Sequence, residues 1–322
     1  MILSTGMLHF TADPRALSVR AHMQVYGFVQ EDLQLLEERF PVVRDKLTLR
    51  FALAFLKANL PWESGRLYIA PNACSKTFRT RITRFLNAYN WTCEPAIRFC
   101  AANRTPLHPN LRGIVDVFPV RTTQDESGAR YTGKYKAAVY KFELWVTLQG
   151  IPFHCRGPFA GSAHDSSIVS RDAEQFEHMT WELFLADKAY ISKYHLLTEE
   201  KRYKSRPPPT EADKLFSGHH RGLRSPVEHA IGRLRRFQIL RYTSHAAQFT
   251  EMAVKFLVWC EHVVRSSKVP GMAEFANELL ASDPHDLCGC KFSAPVSDRK
   301  KKREQCQLEK QSGKRRARED DD

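Results

Sequence analysis

The sequence predicts a mixed α/β domain preceded by an all-helical region. Three observations carry that reading. Residues 1–107 contain amphipathic stretches of helical period, "EDLQLLEERF" (31–40) and "TLRFALAFLKAN" (48–59). "AVYKFELWVTL" (138–148) alternates at period two, and "IPFHCRGPF" (151–159) returns as a hairpin partner after a Gln149-Gly150 turn. Two short apolar runs, "GIVDVF" (113–118) and "LFLADKAY" (183–190), each carry one Asp where a buried strand is expected.

Within the helical region, residues 48–90 have the shape of a helix-turn-helix. "TLRFALAFLKAN" is one helix, "SGRLYIA" (64–70) a short second, "PNACS" (71–75) a turn, and "SKTFRTRITRFLNAY" (75–89) a third. The third helix has a stripe for burial: Phe78, Ile82, Phe85, Leu86 and Tyr89. Its other side offers Lys76, Thr77, Arg79, Thr80, Arg81 and Arg84 with no acid. Such a face suits phosphates and base edges in a major groove, and Lys76, Arg79, Arg81 and Arg84 are the candidate DNA contacts. A generic three-helix unit with a solvated basic face accounts for the same residues.

In the strand region, Tyr140, Phe142, Leu144, Val146 and Leu148 are expected on one face, with Lys141, Glu143 and Thr147 on the other. After the second Asp run come a basic Pro-rich loop, "RPPPT" (206–210), a helix starting at Ser225, and a long closing helix. That last helix has Phe249, Met252, Phe256, Leu257, Cys260 and Val264 at helical spacing. The expected divisions are a helical region at 1–107, a catalytic domain at 108–266, an extension at 267–297 and a charged, disordered tail at 298–322.

Charge narrows the partners. Lys and Arg number 49 against 36 Asp and Glu, a net of +13, and the tail supplies only 10 basic and 7 acidic residues. Residues 201–241 alone hold 11 basic and 3 acidic side chains. A polyanion fits that segment, since neutralised phosphates release counterions. No apolar run approaches a membrane span, and "MILSTGMLHF" lacks the basic and apolar parts of a secretory signal. Eight scattered cysteines are expected as reduced thiols of an intracellular protein. His285, Cys288 and Cys290 lie close together without a second pair, so no zinc site is expected there.

Asp116 and Asp187 are the residues that point to chemistry. One carboxylate in an apolar strand is commonly a structural ion pair. Two in one sheet repel unless a shared proton or a cation joins them, and a hard divalent ion suits convergent carboxylates. Glu228 is a third candidate with two readings. In "RSPVEHAIGRLRRF" (224–237), Ser225-Pro226-Val227-Glu228 reads as a capping box. The same carboxylate also stands among Arg221, Arg224, Arg233, Arg235 and Arg236, which suits a metal ligand beside a phosphate track.

Four segments in order, "GIVD", "HDSSI" after the loop "GPFAGSA", "LADKAY" and "RSPVEHAIGRLRRF", resemble the DDE transposases of the PIF/Harbinger type, a branch of the RNase H-like nucleases. The aspartates lie 71 residues apart, the Glu 41 beyond the second, and the resemblance covers about 110–262. It implies an RNase H-like mixed sheet flanked by helices, with Asp116, Asp187 and Glu228 as catalytic and metal-binding triad. Its cofactor would be two Mg²⁺ or Mn²⁺ ions about 4 Å apart, serving phosphodiester cleavage. Asp165, followed by two serines, reads as the cap of a helix; the resemblance gives His164 and Asp165 a supporting place near the site. Partners admitted by this reading are DNA, a separate DNA-binding protein and a second copy of the chain. A membrane is not among them. "RKKKR" (299–303) and "KRRAR" (314–318) read as nuclear import signals. The family follows its first Asp with a small and a polar residue, where this chain has Val117 and Phe118, and has Gly where this chain has Ala189. Those departures carry the alternative, a domesticated DNA-binding protein that no longer cuts. A two-carboxylate glycoside hydrolase is disfavoured by the basic segment.

Overall fold

The computed structural model describes residues 18–40, 42–88, 111–123, 130–170, 183–190, 196–198, 208 and 210–269. The expected extension beyond 269, the tail with its two basic clusters and the His285/Cys288/Cys290 group lie outside them, as does Tyr89. Five helices open the chain: α1 (Val19–Val25), α2 (Gln30–Glu38), α3 (Val43–Ala58), α4 (Trp62–Ile69) and α5 (Ser75–Ala88). α3 ends at Asn59, whose φ of 52° is a left-handed conformation that Asn tolerates better than most residues. α5 buries Phe78, Ile82, Phe85 and Leu86, the stripe the sequence predicts.

Aromatic rings join this helical region to the last helix, α8 (Ala247–Ser266), through which Phe249, Phe256 and Trp259 pass. Phe55 stacks on Trp62 at 4.6 Å, Trp62 meets Phe249 edge-on at 4.9 Å, and Phe85 meets Phe256 at 5.7 Å. Each buried ring of this size contributes roughly 1.5–3 kcal/mol. The opening helices therefore share a core with the end of the strand region.

The strands are β1 (Leu111–Thr122), β2 (Tyr131–Thr132), β3 (Ala137–Thr147), β4 (Pro152–Ala160), β5 (Leu183–Ala186), β6 (Leu196–Thr198) and β7 (Tyr242–Thr243). β4, β3 and β1 pair antiparallel; β5 then joins β1 in parallel and β6 joins β5 in parallel. The order β4-β3-β1-β5-β6 is an RNase H-like mixed sheet, with β2 and β7 added at the ends of β3 and β1. Gly150 (φ +76°) closes the β3–β4 hairpin against Pro226: a Cβ on it would stand 3.3 Å from the proline Cβ.

Lys141, Glu143 and Thr147 alternate along β3 with Tyr140, Phe142, Leu144 and Val146, and all seven are buried. β3 is a central strand with both faces covered, so its alternation does not separate core from solvent. One face carries an apolar cluster of Val115, Trp145, Phe153, Phe184, Ala186 and Tyr190. One expectation is corrected, the helix expected from Ser225. α7 runs from Glu211 to Leu234, capped by Thr210 with Asp213 as its reciprocal partner, and passes through Pro226. Proline has no N–H for the Gly222 carbonyl; the Ser225 hydroxyl donates to that carbonyl instead, at 3.0 Å. Ser225-Pro226-Val227-Glu228 is thus mid-helix, and Glu228 caps nothing.

Candidate active site

Parallel pairing places the two aspartates. Ile114 is opposite Leu185, and two residues further along each strand direction stand Asp116 and Asp187. Both carboxylates reach one guanidinium on α7. Arg224 Nη2 lies 3.5 Å from Asp116 Oδ2, and Nη1 lies 3.5 Å from Asp187 Oδ1. The arginine side chain is 12% exposed, Asp116 26% and Asp187 40%. The Val117 N–H donates to Asp116 Oδ1 at 2.8 Å. Burial pushes the Asp116 carboxyl up to about 6; the Arg224 charge and the Val117 amide pull the other way, while Asp187 and Asp165 add to the rise.

Glu228 sits on α7 one helical turn beyond Arg224 and is exposed. Among the described residues no three His, Cys, Asp or Glu side chains are grouped closely enough to hold a metal ion. The structure therefore brings Asp116 and Asp187 together, with Arg224 between them, and leaves Glu228 at the surface nearby on the same helix.

Neighbouring groups complete the setting. Asp165 is the first residue of α6 (Asp165–Ser170), whose first turn closes on the His164 carbonyl. Its carboxylate accepts from Lys141 Nζ at 2.9 Å, and His164 is exposed. A carboxylate in a helix's first turn is also favoured by the dipole. Tyr190, in the 3₁₀ turn Lys188–Tyr190 after Asp187, is buried; Lys188 and Ala189 are exposed. Sequence reasoning missed Glu143. It is 0% exposed, opposite Val117 on β1 and Arg156 on β4, and burial pushes its carboxyl up to about 7 against weaker pulls from the Trp145 indole and the Arg156 guanidinium.

The family departures are accommodated by the fold. Val117 packs against the apolar cluster on the face opposite Asp116, and Phe118 is 1% exposed, stacked on Phe142 at 5.8 Å. Neither Val117 nor Ala189 takes a left-handed backbone, since non-Gly φ is positive only at Asn59 and Lys136 among the described residues.

The arginines proposed as DNA contacts divide. Arg224 serves the aspartates. Arg233 is interior: Nε donates to Glu261 Oε2 and Nη2 to the Gly150 carbonyl, both at 2.8 Å. That ties α7 to α8 and to the hairpin and removes Arg233 from an outward track. Arg221 is exposed; Arg235 and Arg236 are half-buried just past the helix end. On α5, Lys76, Arg79 and Arg84 are exposed, and Arg79 lies over the Trp62 ring at 5.5 Å. Arg81 turns inward, with Nε 2.7 Å from Thr48 Oγ1 and Nη2 2.9 Å from the Arg44 carbonyl.

Residues 115–260 match a family model described as DDE superfamily endonuclease. The matched span opens beside Asp116, includes Asp187 and Glu228, and closes within α8. It supports a nuclease or transposase-like function for this part of the chain and DNA as its substrate. No curated protein and no solved structure matches the chain.

Proposed function

We propose that this protein is a divalent-metal-dependent DNA endonuclease of the PIF/Harbinger transposase type, with Asp116 and Asp187 as the primary ligand pair and Glu228 as the third carboxylate. The observation that carries the reading is the convergence of Asp116, on β1, and Asp187, just past the end of β5, on one guanidinium. One carboxylate on β1 and one just past the end of the adjacent β5 offer the hard oxygens that Mg²⁺ or Mn²⁺ takes, and Glu228 stands one turn from Arg224 on α7. Such ions, when bound, activate the attacking water and stabilise the leaving 3′-oxygen of a phosphodiester.

The chain's own residues do the remaining work. Arg224 offsets the repulsion between the aspartates, and its buried Nε has no hydrogen-bond partner among the described residues. Asp116, with its proton leaving near pH 6, is mostly ionised at neutral pH and ready to take a cation. The basic clusters at 299–303 and 314–318 support nuclear import. The test is nicking of supercoiled plasmid with Mg²⁺ or Mn²⁺. Wild type is expected to nick, whereas Asp116→Asn and Asp187→Asn do not, although both still shift DNA in gels. Cleavage that survives both substitutions removes the assignment.

A further inference from the structure

A second basic site stands apart from the aspartates, between α3 and α5. A cavity of about 520 Å³ opens there, lined by Arg44 and Thr48 from α3 and by Lys76, Thr77, Thr80, Arg81 and Arg84 from α5, with Asp45 at its edge. Four cations thus face one acid. Lys76, Thr80 and Arg84 recur at i, i+4 and i+8, so they form one row along α5. Thr77 and Thr80 are exposed, and hydroxyls beside cations are phosphate donors. The first turn of α5 contains no acid, and the helix dipole adds positive potential at that end.

Arg81 makes the groove a built feature. Its guanidinium is held by Thr48 Oγ1 and the Arg44 carbonyl and lies over the Phe51 ring at 5.7 Å. Thr48 is itself fixed, donating to the Arg44 carbonyl at 2.7 Å. Burial, then the neighbouring Arg44 charge, weakens Arg81's hold on its proton, with Asp45 opposing. An anion in the groove relieves that repulsion.

We infer that the α3–α5 groove is a clamp for the sugar-phosphate backbone of DNA, holding phosphates through Lys76, Arg84, Arg44 and the two threonines without reading bases. The choice of DNA rests on the nuclease reading above, and the groove is a site distinct from Asp116 and Asp187. The lining suits the backbone because its cations and short hydroxyls are donors that phosphate oxygens accept from, and Arg81, whose fork could pair with guanine, is already held by Thr48 and the Arg44 carbonyl.

The test is fluorescence anisotropy of labelled duplexes of two unrelated sequences, in EDTA, over a range of KCl. Each of Lys76→Ala and Arg84→Ala is expected to weaken binding several-fold, equally for both duplexes, and to reduce the slope of log K against log salt by about 0.9. Arg84→Lys is expected to keep the slope, since the charge remains. Unchanged slopes overturn the clamp, and so does a loss confined to one duplex. A phosphoserine peptide that binds more tightly than DNA, dependent on Lys76 and Arg84, also overturns it. Because EDTA suppresses cleavage, failure here is separable from failure of the nicking test: either site can fall while the other stands.

Discussion

Asp116 and Glu143 occupy neighbouring central strands, nearly level in register, and face opposite sides of the sheet. Both are buried enough that their protons leave near neutral pH, Asp116 at about 6 and Glu143 at about 7. Their surroundings differ. Asp116 meets a second carboxylate and a guanidinium and stays partly exposed, whereas Glu143 is sealed beside Trp145 and Arg156. Perturbed titration alone therefore does not mark a functional group. What sets Asp116 apart is the second carboxylate that converges on the same guanidinium.

The sharpest way to break that comparison is substitution of each acid by its amide. Asp116→Asn is expected to lower metal-dependent nicking by on the order of 10³-fold or more, with DNA binding retained. Glu143→Gln is expected to leave nicking within a few-fold of wild type. If the two variants lose cleavage equally, the distinction between the two faces is void.

Next in size is a stability difference. A carboxyl whose proton leaves later in the folded state supports folding fully below its ordinary value of 4.5 and loses that support as pH rises through about 7. The shift corresponds to roughly 3 kcal/mol for Glu143. Wild type is expected to lose stability in urea melts between pH 5 and pH 9, and Glu143→Gln to flatten that decline. An equal decline in the variant assigns the titration elsewhere.

Asp116 makes a prediction of its own about the metal. Its proton competes with a divalent ion, so Mn²⁺ affinity measured by calorimetry is expected to fall towards tenfold per pH unit below about 6. Affinity unchanged between pH 7 and pH 5 would separate Asp116 from the ligand set.

Legibility followed the reach of each signal. The helices at 30–88, the hairpin and the two Asp-bearing strands were readable because local periodicity and turn residues specify them. The convergence of Asp116 and Asp187 followed only from motif order, since strand order joins residues 71 apart. The burial of Glu143 was not readable, because alternation says which residues share a face, never whether the second face is covered. Arg224 and Arg233 read as surface charge for the same reason: their partners, Asp116, Asp187 and Glu261, are distant in sequence. Ser225 misled differently, since a cap and a mid-helix proline share one local pattern.

That last ambiguity gives the smallest effect and a clean cycle. In α7 the Gly222 carbonyl has lost its N–H partner to Pro226 and is served by the Ser225 hydroxyl. Ser225→Ala is expected to cost about 1 kcal/mol in denaturant melts, less if water reaches the carbonyl. In a Pro226→Ala background the restored N–H serves Gly222, so the serine substitution should cost almost nothing there. The difference between the two costs isolates the coupling. The single proline change carries its own penalty, because Pro226 packs against Gly150, but that term cancels in the cycle. Equal costs in both backgrounds would mean that Ser225 does not compensate the proline. The continuity of α7, which sets Arg224 and Glu228 one turn apart on a single rigid helix, would then need another source.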